Sequence, residues 1–138
     1  MCRLLLPALL VSFASGCGSG GRTTTPSPRE TLASQVVRNV PRWIKQEHLP
    51  RKAHRGARVF ATAGCTACHT YAGSGGSNLG APDLTAIGRH QLGVRFQIDH
   101  LKCPSCVNQD SPMPPFASLG RKRLHELAIF LEASKGIR

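Results

Sequence analysis

The residues of this chain best suited to chemistry are Cys65-Thr66-Ala67-Cys68-His69. On a helical turn, positions i, i+3 and i+4 project from one face, so two thiols and an imidazole can meet a single group. C-x-x-C-H is the sequence at which a c-type haem is attached. The thiols add to its two vinyl groups, and His69 reaches the iron as the proximal ligand. A second pair, Cys103-Pro104-Ser105-Cys106, raises another chemistry, a tetrahedral zinc held by four thiolates. Cys68 and Cys103 are separated by 34 residues, more than the usual zinc-ribbon spacing of about 15 to 20. A ribbon also has no need of His69, so haem is the stronger reading.

Iron in such a site has a position opposite the proximal histidine. The chain has 2 Met, one of them the initiator, which makes Met113 the candidate distal ligand. Pro112, Pro114 and Pro115 surround it and reduce the entropy lost in holding a sulfur in place. A thioether opposite histidine raises the reduction potential relative to harder donors. His48, His54, His90, His100 and His125 are the competitors for that position. If the position stays open, the chemistry changes to that of a gas sensor or an enzyme.

These residues need elements to carry them. Arg3 is followed by the apolar run from Leu4 to Phe13 and then by Ala14, Ser15, Gly16 and Cys17. The run is too short to span a bilayer and reads as a secretory signal over 1–16. Its Ala-Ser-Gly-Cys ending resembles the lipobox of bacterial lipoproteins, with Cys17 the lipidated first residue, although ordinary cleavage at the same bond leaves Cys17 unmodified. The expected location is extracytoplasmic and membrane-anchored. Residues 17–35 lack apolar periodicity and read as a flexible linker. Residues 36–51 form a basic extension that Pro41 and Pro50 are expected to break into short pieces. Its functional reading is a collar for anionic lipid or an acidic redox partner, with Trp43 as an interfacial anchor; its plain reading is a solvated face with Trp43 packed on the domain. Nucleic acid is not an expected partner.

From about Lys52 to Lys135, within a domain expected over 52–138, the chain resembles the small class I cytochromes c of bacteria. Besides Cys65, Cys68 and His69, four segments carry the resemblance. Gly56-Ala57-Arg58-Val59-Phe60 looks like the family's N-terminal helix, whose small residue and aromatic face the C-terminal helix. Pro82-Asp83-Leu84 is similar to the family's Gly-Pro-x-Leu, with Ala81 in place of the Gly; there the Pro82 carbonyl accepts the hydrogen bond of the proximal histidine. Met113-Pro114-Pro115-Phe116 looks like the axial methionine loop. Leu124 to Lys135 resembles the closing helix, with Phe130-Leu131 as its aromatic-Leu pair. The resemblance implies an all-α fold of three to four short helices wrapped around one covalent haem, after the signal peptide and linker.

The residue pattern agrees with parts of this. Leu124, Leu127, Ala128 and Leu131 make one apolar face, and Lys135-Gly136 is a good stop. Arg121, Lys122 and Arg123 crowd the positive end of that helix's dipole, which marks them as a docking cluster or a solvated end. Leu92 to Leu101 fits both a strand and a helix, and is assigned as the middle helix. Arg89 is either a partner for a haem propionate or an exposed side chain. No His follows Cys106, so a second covalent haem is excluded there. Cys103 and Cys106 are candidates for a structural disulfide, a redox-active dithiol or a metal or free-thiol pair.

Composition bounds the whole. A chain of 138 residues has room for one domain, and 18 Lys plus Arg against 7 Asp plus Glu call for an acidic partner or an anionic group. With 1 Trp, 1 Tyr and 5 Phe, the core looks thin without a non-protein filler. The expected function is one-electron transfer without catalysis. A quinol-oxidising complex or dehydrogenase would stand upstream and a terminal oxidase or reductase downstream. Thiol-disulfide exchange through Cys103 and Cys106 is the weaker rival.

Overall fold

The computed structural model describes residues 32–136, so the stretch read as a signal (1–16), Cys17 and most of the stretch read as a linker lie outside the described residues. The described chain is all-α: helices α1 (Leu32–Gln46), α2 (His54–Thr62), α3 (Val94–Lys102), α4 (Pro104–Val107) and α5 (Gly120–Ala133) are joined by loops with short 3-10 turns. Among the described residues there is no strand, only an isolated bridge between Tyr71 and Ser74. The five α-helices exceed the three to four expected. No helix there is long and apolar enough to cross a membrane.

The first difference from expectation is α1. It begins inside the stretch read as linker and runs through Pro41 without breaking. Proline removes the amide that would bond the carbonyl four residues back, here that of the exposed Val37, where water can replace the lost partner. On the opposite face Val36, Val40 and Trp43, spaced i, i+4 and i+7, are buried. Packing on both sides of the proline therefore outweighs its local cost.

That packing also removes the interfacial-anchor reading of Trp43, which is 0% exposed. Its ring packs edge-on against Phe60 and Tyr71, with centroids 6.0 and 5.1 Å away. Phe60 and Tyr71 in turn meet Phe130 of α5, at 5.4 and 4.8 Å. Four of the chain's few rings thus form one cluster, worth about 0.5–1.5 kcal/mol per pair beyond area burial. The core is concentrated, not thin.

Helices α2 and α5 cross at Gly56. A Cβ there would lie 2.0 Å from the Glu126 carbonyl oxygen and 2.5 Å from Phe130 Cβ, so only glycine admits the approach. The apolar face of α5 is buried as its spacing implied, at Leu124, Leu127, Ala128 and Leu131. The helix stops at Ser134, whose hydroxyl donates to the Phe130 carbonyl (2.8 Å) and accepts from Tyr71 (3.0 Å). The segment that fitted both periods is helical: α3 buries Gln97 and Leu101 against the rest of the fold, and Gln97 Nε2 donates to Glu132 Oε1 on α5 at 2.9 Å.

Candidate functional site

Gly64, in the left-handed region at φ 84°, turns the chain out of α2 and starts the 3-10 turn Cys65–Ala67. The amides of Cys68 and His69 both return to the Cys65 carbonyl, at 3.2 and 2.9 Å. This closes the C-x-x-C-H pentapeptide into a tight turn, and Cys65, Cys68 and His69 line the same cavity. Burial pushes the Cys65 thiol up to about 12, so in the folded chain it is overwhelmingly protonated at neutral pH.

The glycine-rich loop that follows is tied back onto this turn. Gly76 N donates to Thr66 O (3.0 Å), Asn78 N to Cys68 O (3.1 Å) and Asn78 Nδ2 to Ala67 O (2.5 Å). Gly75, at φ 95°, lies so close that a Cβ would sit 2.4 Å from the His69 carbonyl oxygen. The loop then returns with Leu84 N bonded to Thr70 O at 3.0 Å. This places the Pro82 carbonyl 2.9 Å from His69 Nδ1, which donates to it. The bond fixes the ring's tautomer and leaves Nε2 as the available lone pair.

Another part of the cavity lining comes from α3 and the proline-rich loop. Met113 lines it, as do Phe96, His100, Leu101 and Phe116. The loop is clipped to α3 by Phe116 N donating to Leu101 O at 2.8 Å. Between them Cys103 and Cys106 are joined by a disulfide across α4. Those sulfurs are therefore committed to each other, and the four-thiolate zinc site is removed; no group of three or more His, Cys, Asp or Glu among the described residues is arranged to hold a metal. Cys65 and Cys68 remain free thiols.

Arg89 Nε donates to the Lys135 carbonyl just past the end of α5, and Arg89 is not among the residues lining the cavity. Among the competing histidines, His90 and His125 are exposed, His54 Nε2 donates to Leu49 O at 3.0 Å, and His48 lines a different cavity. His100 alone of the five lines the cavity of Cys65. Its pKa is lowered, first by burial and then by His69. Asn78 was not singled out as a site residue from sequence, and His100 was named only as one of five competing histidines; Asn78 carried a weak signal, a polar side chain able to cap turns within a glycine-rich loop.

The cavity has a volume of about 420 Å³ and is walled mainly by apolar side chains such as Phe60, Leu84, Ile87, Leu127 and Leu131. Two thiols, an imidazole and a thioether lining one cavity with apolar side chains around them form a donor set that fits a covalently held haem. Cys65, Cys68, His69 and Met113 are the residues that would hold it. Comparison with models of protein families, with curated proteins and with solved structures finds no match to this chain.

Proposed function

We propose that the protein is a one-electron carrier of class I cytochrome c type, holding a single c-type haem on Cys65 and Cys68. The observation that carries this is the convergence of Cys65, Cys68, His69 and Met113 on one apolar cavity, with His69 Nδ1 bonded to the Pro82 carbonyl. Haem bound there supplies an iron that gains and loses one electron. The chain's own residues do the rest. His69, oriented by Pro82, and Met113, held in a proline-stiffened loop, keep two donors in place in either oxidation state, so little rearrangement accompanies electron transfer.

Leu79, Leu92 and Phe96 line the cavity and are 74%, 42% and 37% exposed. Covering them would contribute on the order of 2–5 kcal/mol at about 1.5–3 kcal/mol for each fully buried side chain. The high pKa of Cys65 fits attachment to the chain before it folds, since the thiolate is the nucleophile. The carrier would be exported and held at the membrane through Cys17. It would exchange electrons with acidic partners, a quinol-oxidising complex or dehydrogenase upstream and a terminal oxidase or reductase downstream.

The test is expression with the c-type maturation machinery, followed by absorption spectra in both oxidation states. The expected result is covalent haem with low-spin iron carrying the signature of thioether ligation in the oxidised protein. A chain without covalent haem refutes the proposal. A high-spin resting spectrum instead favours the sensor or enzyme reading. Thiol-disulfide exchange has the Cys103–Cys106 bond in its favour, but no strand among the described residues flanks that pair in the manner of thioredoxin.

A further inference from the structure

We infer that the Cys103–Cys106 disulfide is a redox-controlled positioning bond for Met113: closed, it holds the methionine loop in place to ligate; opened by an external dithiol, it lets Met113 leave the iron. The inference rests on the haem reading above. Both ends of the loop are fastened to the end of α3. At the far end the Phe116 amide donates to the Leu101 carbonyl at 2.8 Å. At the near end Cys103, whose own amide returns to the Asp99 carbonyl at 3.0 Å, is bonded through sulfur to Cys106.

Between these ties the loop is held lightly. Among the described residues, the hydrogen bonds of 108–115 stay within 104–113: Asn108 N donates to Pro104 O at 2.9 Å, Ser111 N to Asn108 O at 3.0 Å, Asp110 N to Asn108 Oδ1 at 3.3 Å and Met113 N to Ser111 Oγ at 3.3 Å. Pro112, Pro114 and Pro115 have no amide with which to reach the rest of the fold. Their fixed φ makes the stretch a stiff strut, so a shift at its near end is passed on to Met113.

The near tie depends on its sulfurs. Helix α4 is the four residues Pro104–Val107, and a helix of one turn does not hold itself together in water. Pro104 is fully buried and stays as an anchor, so opening the bond frees the segment after it without freeing α3. A bridge spanning three residues also constrains the unfolded chain least. What it orders is the loop that follows, more than the fold as a whole.

The bond is within reach of a reductant. Cys106 is exposed and Cys103 half-buried, so an incoming thiolate meets Cys106 Sγ first. It forms a mixed disulfide there and displaces the Cys103 thiolate; the donor's second thiol then displaces Cys106, and the donor leaves as a disulfide. Two electrons pass from the donor to the chain, the donor's two protons end on Cys103 and Cys106, and the iron keeps its oxidation state in this step.

The test uses holoprotein reduced with dithiothreitol, alkylated with iodoacetamide to keep the bond open, and reoxidised at the iron with ferricyanide; Cys65 and Cys68, held as thioethers, do not react. Cyanide binding to the ferric protein reads the opening of the iron–sulfur bond. The opened protein is expected to bind cyanide at least about five times faster than the closed one, with a weakened thioether signature, while far-ultraviolet circular dichroism and the fluorescence of Trp43 stay as they were. Cys103→Ser with Cys106→Ser, which needs no reductant, is expected to match it. Reforming the bond in reduced, unalkylated protein is expected to restore slow binding. Equal rates in the closed, alkylated and serine proteins overturn the inference while leaving the haem reading standing. So does a bond that resists dithiothreitol in the folded protein, or faster binding that comes with lost helix and a solvated Trp43, since the bond would then hold the fold and not the ligand. A wild-type chain without covalent haem overturns the haem reading, and this inference with it.

Discussion

Glu47 ends just beyond α1 with both carboxylate oxygens buried and unpaired. Burial is the main cause that raises its pKa above the ordinary 4.5, with Asp83 adding to it and His48 opposing it. Because the folded state holds this proton more tightly than the unfolded chain, stability is full below the ordinary carboxylate value and declines as pH rises through the raised one. Glu47→Gln is expected to flatten this decline; urea unfolding from about pH 4 to 7 measures it, and an unchanged profile contradicts the assignment. Sequence reading has no access to such a residue, since nothing in Lys45-Gln46-Glu47-His48 shows that the carboxylate is enclosed. The same limit separates the site residues. Cys65, Cys68 and His69 are legible because thioether attachment and iron ligation require those residue types within five positions. Met113 is legible because its neighbours are prolines and the other of the 2 Met is the initiator. His100 and Asn78 come to line the cavity only through where α3 and the glycine-rich loop come to rest, which no short spacing encodes.

Among the elements, α5 was readable from its own period, and α1 was not. The two prolines and seven cations of the 36–58 region weigh against a helix locally, whereas the burial of Val36, Val40 and Trp43 that overrides them is tertiary. Once docked, α1 also braces the site: Arg42 Nη2 and Trp43 Nε1 donate to Ser74 Oγ at 2.8 and 3.2 Å, fastening the turn that follows His69. The α2–α5 crossing is more demanding still. Gly56→Ala is expected to cost at least about 2 kcal/mol, because the added carbon meets backbone and not a movable side chain; chemical denaturation of the holoprotein measures it, and a cost under about 0.5 kcal/mol would mean the helices do not cross here. The start of α5 holds the opposite opportunity. Arg121, Lys122 and Arg123 are exposed in a first turn that has no acidic residue and no side-chain cap. Reversing each to Glu is expected to stabilise the helix by about 0.3–1 kcal/mol at low salt. If the cluster docks acidic partners, the same variants slow electron exchange with a weakened salt dependence; unchanged exchange would leave it a solvated helix end.

At the scale of the whole molecule, the scarcity of aromatic residues has a different meaning from the one composition implied. Trp43, Phe60, Tyr71 and Phe130 are gathered into one cluster that α1, α2 and α5 can build from protein alone, while the cavity is bounded on other sides by the 70–86 loop, α3 and the methionine loop. The fold therefore divides into a ring cluster packed from protein alone and an apolar-lined cavity that a filler would cover. This predicts a graded result when attachment is prevented by Cys65→Ala with Cys68→Ala. Helix content and a buried Trp43 should persist, because Trp43, Tyr71 and Phe130 pack in sequence on one another and only Phe60 of the ring cluster lines the cavity. The exposed Leu79, Leu92 and Phe96 forgo the roughly 2–5 kcal/mol their covering would contribute, which for a domain of this size lowers the unfolding midpoint by roughly 10–30 °C. Amide exchange should follow the same division, fast in 76–84 and 108–116 and slow in α2 and α5. Uniformly fast exchange with a solvated Trp43 would show that the aromatic cluster cannot stand by itself, and an unchanged midpoint would show that the cavity needs nothing to fill it.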